Sequence, residues 1–260
     1  MAAGTVSNLS NMASTEKHLL MLVHRIPYPP NKGDKIRSFH QLRFLQENGW
    51  KVHLCSFVDD PYDIQFKEAL RHYCETTSFF SLGWLRQKIS MMWAFLTNRP
   101  LTVGAFYAPP ALEYIRHTLT NYPIQAILCF SSPMAEYIFR SPLRTRNIPF
   151  QPPTKSTNSI DPILVMDLVD VDSTKWSLYA EKSPIPQRWI YNLETRRLAS
   201  YEKRIVDAFD TTLLAAKKEA DLLRHATQQD EKIRVLSNGV DTKYFHPKND
   251  KHRNKPSGVC

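Results

Sequence analysis

Along this chain, wholly apolar runs alternate with stretches whose apolar positions recur every three or four residues. The run "HLLMLVH" (18–24) predicts a strand buried on both faces. After it, Ile36, Phe39, Leu42 and Leu45 share one face of a helix from about Asp34 to Asn48, which Gly49 is placed to end. "KVHLCSFV" and "TTSFFSL" continue the strands; residues 84–98 predict a helix, and Pro109-Pro110 suit the first turn of another. "QAILCFSS", "PILVMDLVDV" and "TTLLAA" are further strands, the last two separated by a long helix from about Pro186 to Ala208. This alternation predicts an α/β fold, a doubly wound Rossmann-like parallel sheet covered on both faces.

Boundaries follow from composition. Residues 1–16 lack the basic start and apolar length of a signal peptide and read as a disordered leader. The Rossmann-like domain is expected over 17–236, with the Pro-, Ser- and Thr-rich segment 147–162 as an inserted surface loop. Residues 237–247 form a linker motif, and 248–260 a polar tail expected to be disordered. No apolar run reaches membrane-spanning length. Cys55, Cys74, Cys129 and Cys260 show no paired spacing, which points to reduced cytosolic thiols over disulfides or a metal site.

The formal net charge of +9 changes the picture by favouring an anionic partner, although a merely soluble basic surface has the same composition. The aromatic residues sit mostly in periodic apolar segments, not between basic residues, which argues against nucleic acid. In open α/β sheets, ligands collect outside the carboxyl ends of the strands. Four polar stretches fall at such ends: 24–37, 130–136, 167–176 and 237–245. In the first, three prolines make a rigid turn. Gly33 is expected to use positive φ and to leave room for a ligand, while Asp34 begins a helix and Lys32, Lys35 and Arg37 add charge. The turn is then either a cradle for a phosphate or acceptor, or a plain strand-to-helix connection. His24 closes the strand before it as a ligand contact or a structural histidine.

Ser131 and Ser132 either bond an acceptor hydroxyl or cap the next helix. Asp170 and Asp172, two apart at a strand end, project to one side; they can share a divalent cation or bond sugar hydroxyls together with Lys175 and Trp176, or else Asp172 or Ser173 simply caps the next helix. Of the first two, we read polar contacts.

The motifs "HRIPYPPNKGDKIRSFHQL", "FVDDP", "FSSPMAEY", "DLVDVDSTKW" and "NGVDTKYFHP" together resemble bacterial family 4 glycosyltransferases, specifically the sugar transferases of exosortase-associated exopolysaccharide systems. The resemblance covers about residues 18–247. It implies a GT-B fold, two Rossmann-like domains facing across a cleft, and transfer from a nucleotide sugar with retention at the anomeric carbon. The N-terminal domain holds a polysaccharide or lipid-linked acceptor, and the nucleotide sugar is a substrate, with no metal or other cofactor. Only thirteen residues follow Pro247, so the resemblance gives the acceptor half, with the donor half expected on a separate polypeptide or lost. It makes Asp170 and Asp172 the candidate catalytic residues, standing where relatives carry a histidine near the transferred sugar. Gly33, Asp34, Lys35, Arg37, Ser131, Ser132, Lys175, Trp176, Asn238 and Gly239 are candidate substrate contacts. The family's donor site has a Glu-x7-Glu spacing, which Glu194 and Glu202 share. These two precede the linker motif, lack surrounding glycines and lie in an amphipathic helix, so we read them as a solvated face.

Residues 84–98 carry two apolar stripes: Leu85, Ile89, Met92, Trp93 and Leu96, and about 100° around, Trp84, Met91 and Phe95. Flanked by Arg86, Lys88 and Arg99, such a helix fits an anionic membrane surface. A core helix packed on two sides, or a contact with another domain, is the expectation we prefer. A cytoplasmic location, with possible peripheral attachment to the inner face of the cell membrane, completes this reading.

Overall fold

The computed structural model describes residues 16–141 and 161–239. The expected leader apart from Glu16, which pairs with Lys51 at 2.8 Å, most of the inserted loop, the last part of the linker motif and the tail lie outside these residues. Seven parallel strands form one sheet: β1 (Lys17–Val23), β2 (Trp50–Val58), β3 (Thr76–Ser81), β4 (Ile124–Phe130), β5 (Ile163–Val169), β6 (Thr211–Leu214) and β7 (Ile233–Val235). Their spatial order is β3-β2-β1-β4-β5-β6-β7. The first six strands therefore run 3-2-1-4-5-6, the doubly wound Rossmann order, and the sense of winding reverses between β1 and β4.

The helices are α1 (Gly33–Glu47), α2 (Lys67–Arg71), α3 (Trp84–Leu96), α4 (Leu101–Ala105), α5 (Pro109–Asn121), α6 (Ala135–Arg140), α7 (Asp172–Lys182), α8 (Gln187–Ala208) and α9 (Lys217–Thr227). Strand residues alternate between two cores because successive side chains point to opposite faces. Leu19, Met21 and Val23 of β1 pack with Phe39 and Leu42 of α1, whereas Leu20 and Leu22 pack with Ile115 of α5, Ile138 of α6 and Ile205 of α8. A strand buried on both sides needs the continuous apolar run that β1 supplies.

Gly49 takes φ +79° and turns the chain from α1 into β2, the left-handed helix end its position predicts. Two expectations shift. The predicted strand 162–171 stops at Val169, and Asp170 lies in a bend before α7. The predicted helix 84–98 ends at Leu96, and Pro100 restarts the chain as the separate α4. No helix among the described residues is long and apolar enough to cross a membrane.

Candidate functional site

The parallel sheet delivers the ends of β1, β4, β5 and β7 to one rim, and Arg37 and Asp167 together tie them. One turn into α1, its guanidinium donates to both carboxylate oxygens of Asp167 in β5, at 2.8 and 3.2 Å. It also donates to the Leu236 carbonyl at 2.7 Å and to Asn238 Oδ1 at 2.8 Å, just past β7. Gln41 Nε2 completes the surroundings of Asp167 at 2.5 Å. Both members of the ion pair are buried. A buried charge needs such complete satisfaction, because an unpaired one costs several kcal/mol.

This arrangement corrects part of the sequence reading. Arg37 and Lys35 are not free positive charges at the turn. Lys35 is buried and donates to Asp63 at 2.6 Å, which pins α1 to the 3-10 turn Pro61–Phe66 after β2. Gly33 is not held at positive φ; it is the first residue of α1, and a Cβ there would meet nothing within 4 Å. What the turn retains is an unobstructed helix N-terminus. Beside it, Asp34 accepts from Arg25 at 2.9 Å and lies 3.5 Å from His24 Nε2. The His24 imidazole and the Arg25 guanidinium hold the Asp34 carboxyl well below the usual carboxylate range, although partial burial opposes them. His24 stacks on Phe130 with centroids 5.9 Å apart, so it bridges the ends of β1 and β4 at the reversal point.

The turns after β4 and β5 are strained. Ser131 sits at φ 78°, ψ 152°, a region essentially reserved for glycine, and β-branched Val169 sits at φ 68°. Hydrogen bonds hold them there: Ser131 N donates to the Asp167 carbonyl at 2.8 Å, and Val169 N to Asp167 Oδ1 at 3.1 Å. Asp167 thus fixes α1 and both strained turns. Strain of order 1–3 kcal/mol per residue collects at functional sites, where the surrounding structure over-determines the backbone.

Asp170 and Asp172 do not share a strand face: Asp170 lies in the bend after β5, Asp172 opens α7, and Lys175 joins them. Lys175 Nζ lies 2.8 Å from Asp170 and 3.7 Å from Asp172, and Ser132 Oγ donates to Asp172 at 2.7 Å. Against the opposing effect of burial, the two carboxylates raise the Lys175 pKa. Ser131 precedes the 3-10 turn Ser132–Met134 without capping it through its side chain, and Asp172 is itself the first residue of α7. Trp176 turns away from this group and packs edge-on against Tyr191 of α8, with centroids 5.2 Å apart. Asn238 and Gly239 are exposed at the rim.

Glu194 and Glu202 overturn the expectation of a solvated face, since both are buried. Each caps a helix from outside. Glu194 accepts from Leu101 N and Thr102 N at 2.8 and 3.0 Å, at the start of α4. Glu202 accepts from Ser173 N and Oγ at 2.9 and 2.5 Å, at the start of α7. Burial pushes the Glu202 carboxyl up to about 7, against the hydrogen bonds from Ser173. Glu219 adds a third contact there, accepting from Val171 N. The sequence reading missed Asp167, Gln41, Glu202 and Glu219. A signal existed for the first: an acidic residue inside the apolar run "ILVMDLV" must find a buried partner.

No family model and no curated protein gives a significant match to the chain. Among solved structures, Anabaena Alr3699/HepE in complex with UDP shares 13% identity at a TM-score of 0.46, over 88% of this chain and 46% of its own. The same protein with UDP and glucose gives 13% and 0.46, over 87% and 46%. The N-terminal domain of Candida albicans trehalose-6-phosphate phosphatase gives 14% and 0.48, over 94% and 52%. The chain therefore spans about half the length of these structures.

Proposed function

We propose that this chain is the acceptor-binding domain of a nucleotide-sugar-dependent glycosyltransferase of the GT-B type, related to family 4 and acting on a polysaccharide or lipid-linked acceptor with retention. The reading rests on the sequence motifs together with one structural observation: Asp167 and Arg37 gather four of those motif segments at the rim where the winding reverses. That is where an open α/β sheet offers a crevice to a ligand.

In this reading Asp170 and Asp172, set by Lys175 and Ser132, hold acceptor hydroxyls. The open N-terminus of α1 at Gly33 lies toward the phosphates of the donor, whose nucleotide a second unit holds across the cleft. Chemistry of this kind depends on positioning, which a rim fixed by buried ion pairs supplies. The exposed face of α3 favours a second reading, a non-catalytic basic module that docks on a membrane or a protein.

The test is sugar transfer. Purified chain is incubated with radiolabelled nucleotide sugars and either a polyprenyl-diphosphate disaccharide in detergent or a soluble oligosaccharide. A donor-binding domain of the same fold class is present or absent. We expect labelled product only with the donor-binding domain, and its loss in Asp172→Asn. Turnover by the chain alone would contradict the division of labour. Absence of product in every combination would contradict the reading as a whole.

A further inference from the structure

Helix α3 is mounted inside out. Its one buried residue is Ala94, and Gln87, Ser90 and Met91 share that side of the helix. The opposite side, facing away from the protein, is the stripe Leu85, Met92 and Leu96, with Ile89 at its margin toward the neighbouring groove, every one exposed, Leu96 to 67%. Trp84 and Trp93 flank this stripe at 68% and 60% exposure. The mounting is fixed by close backbone approach to α4. A Cβ on Gly104 would come within 2.7 Å of Ala94 Cβ and 2.8 Å of the Ser90 carbonyl. Among the described residues α3 is therefore not the core helix packed on two sides that was one expectation, while the other, a contact with another domain, is an alternative cover for the same stripe.

An apolar stripe of this length turned to solvent calls for an occupant. Charge identifies its chemistry. From residue 76 to 112 the chain has no Asp or Glu, while Arg86, Lys88 and Arg99 lie on or beside α3. Lys88 Nζ stands 4.6 Å over the Trp84 ring, which puts a cation at the level of an aromatic side chain suited to an interface. On the other flank a groove of about 430 Å³ opens between α3 and α4–α6, lined in part by Arg86, Trp93, Arg99, Tyr107 and Arg140. Glu136 within it is already spanned by Arg99 and Arg140, at 2.9 and 2.6 Å. A second copy of the chain is a poor occupant, because pairing through α3 would bring these cations together with no acidic residue of the segment to answer them.

We propose that α3 docks on an anionic phospholipid surface. The Leu85–Leu96 stripe lies among the upper acyl chains, both tryptophans sit at the interface, and Arg86 and Lys88 meet phosphates. As the place where a lipid-linked acceptor is met, this rests on the reading above; the docking itself does not.

The experiment is co-sedimentation of the whole chain with vesicles of phosphatidylglycerol and phosphatidylcholine, and of phosphatidylcholine alone, with quenching of tryptophan by brominated lipid. We expect binding to the anionic vesicles that weakens more than about tenfold on Arg86→Glu with Lys88→Glu, and in high salt. Leu85→Glu with Leu96→Glu removes quenching while circular dichroism stays unchanged. Unchanged vesicle binding by both double variants would overturn the proposal. So would a dimer in gel filtration that only the stripe variant dissolves, without vesicle binding. Transfer to the soluble oligosaccharide without vesicle binding would sink the docking alone. Vesicle binding with no transfer under any condition would sink the glycosyltransferase reading and leave the docking standing.

Discussion

The carboxyl rim and helix α3 break the same rule in opposite directions. At the rim, Lys35, Arg37, Asp63 and Asp167 bring charge into the interior; on α3, Leu85, Met92 and Leu96 bring apolar surface out to solvent. The rim is complete within the chain, since every one of those charges has a partner. The stripe of α3 has none among the described residues. One region spends its irregularity on a fixed geometry, whereas the other leaves free a surface that something else must cover. A rim change should therefore register in stability, and an α3 change should register only in binding.

The sharpest way to break this contrast is at Asp167. Its replacement by alanine leaves Arg37 buried and unpaired and should cost about 3–5 kcal/mol in denaturant unfolding. Arg37→Met combined with Asp167→Leu should recover much of that loss, because the uncompensated charge is gone.

Next is pH. Between pH 4.5 and about 7 the folded chain keeps a proton on Glu202 that the unfolded chain has lost, so this group's contribution falls as pH rises, on the order of 3 kcal/mol across the window. His53 acts oppositely. Burial, with His18 second, lowers its pKa from 6.5 to about 4, so the unfolded chain takes the proton first and stability is lost as pH falls through that range. The two offset each other in the native chain. Glu202→Gln should expose the histidine effect as a steeper loss of stability from pH 6.5 to 4.

Smaller still is the release of strain. Ser131→Gly should raise stability by about 1–2 kcal/mol, because glycine takes φ 78°, ψ 152° without penalty. Smallest of all, Leu85→Glu and Leu96→Glu should shift the unfolding midpoint by no more than about 0.5 kcal/mol in free energy. A large loss there would mean that α3 carries the fold and would erase the contrast.

Much of the architecture was legible because the strands are buried on both faces and therefore written as apolar runs. The run 18–24 and the glycine at 49 are examples. The short α4 was not, since its start is held by Glu194, 93 residues along the chain. Glu194 shows why. On sequence it is a charge on an amphipathic helix, and only the fold brings the start of α4 within reach of it. The site was legible as segments at strand ends but not in its chemistry. Lys35 and Arg37 read as ligand-facing charges because their partners, Asp63 and Asp167, lie 28 and 130 residues away. Gly33 invited a conformational argument, while its contribution is open space.

Amide chemical-shift mapping of the nitrogen-15-labelled chain, titrated with the polyprenyl-diphosphate disaccharide and separately with the soluble oligosaccharide, asks most directly whether the rim receives a sugar acceptor. Perturbations confined to the neighbourhoods of Gly33, Ser131, Asp170 to Lys175 and Asn238 are the predicted result, weakened in Asp172→Asn. Perturbations centred instead on His18, His53 and Thr76 at the opposite edge of the sheet, or none with either probe, would contradict it.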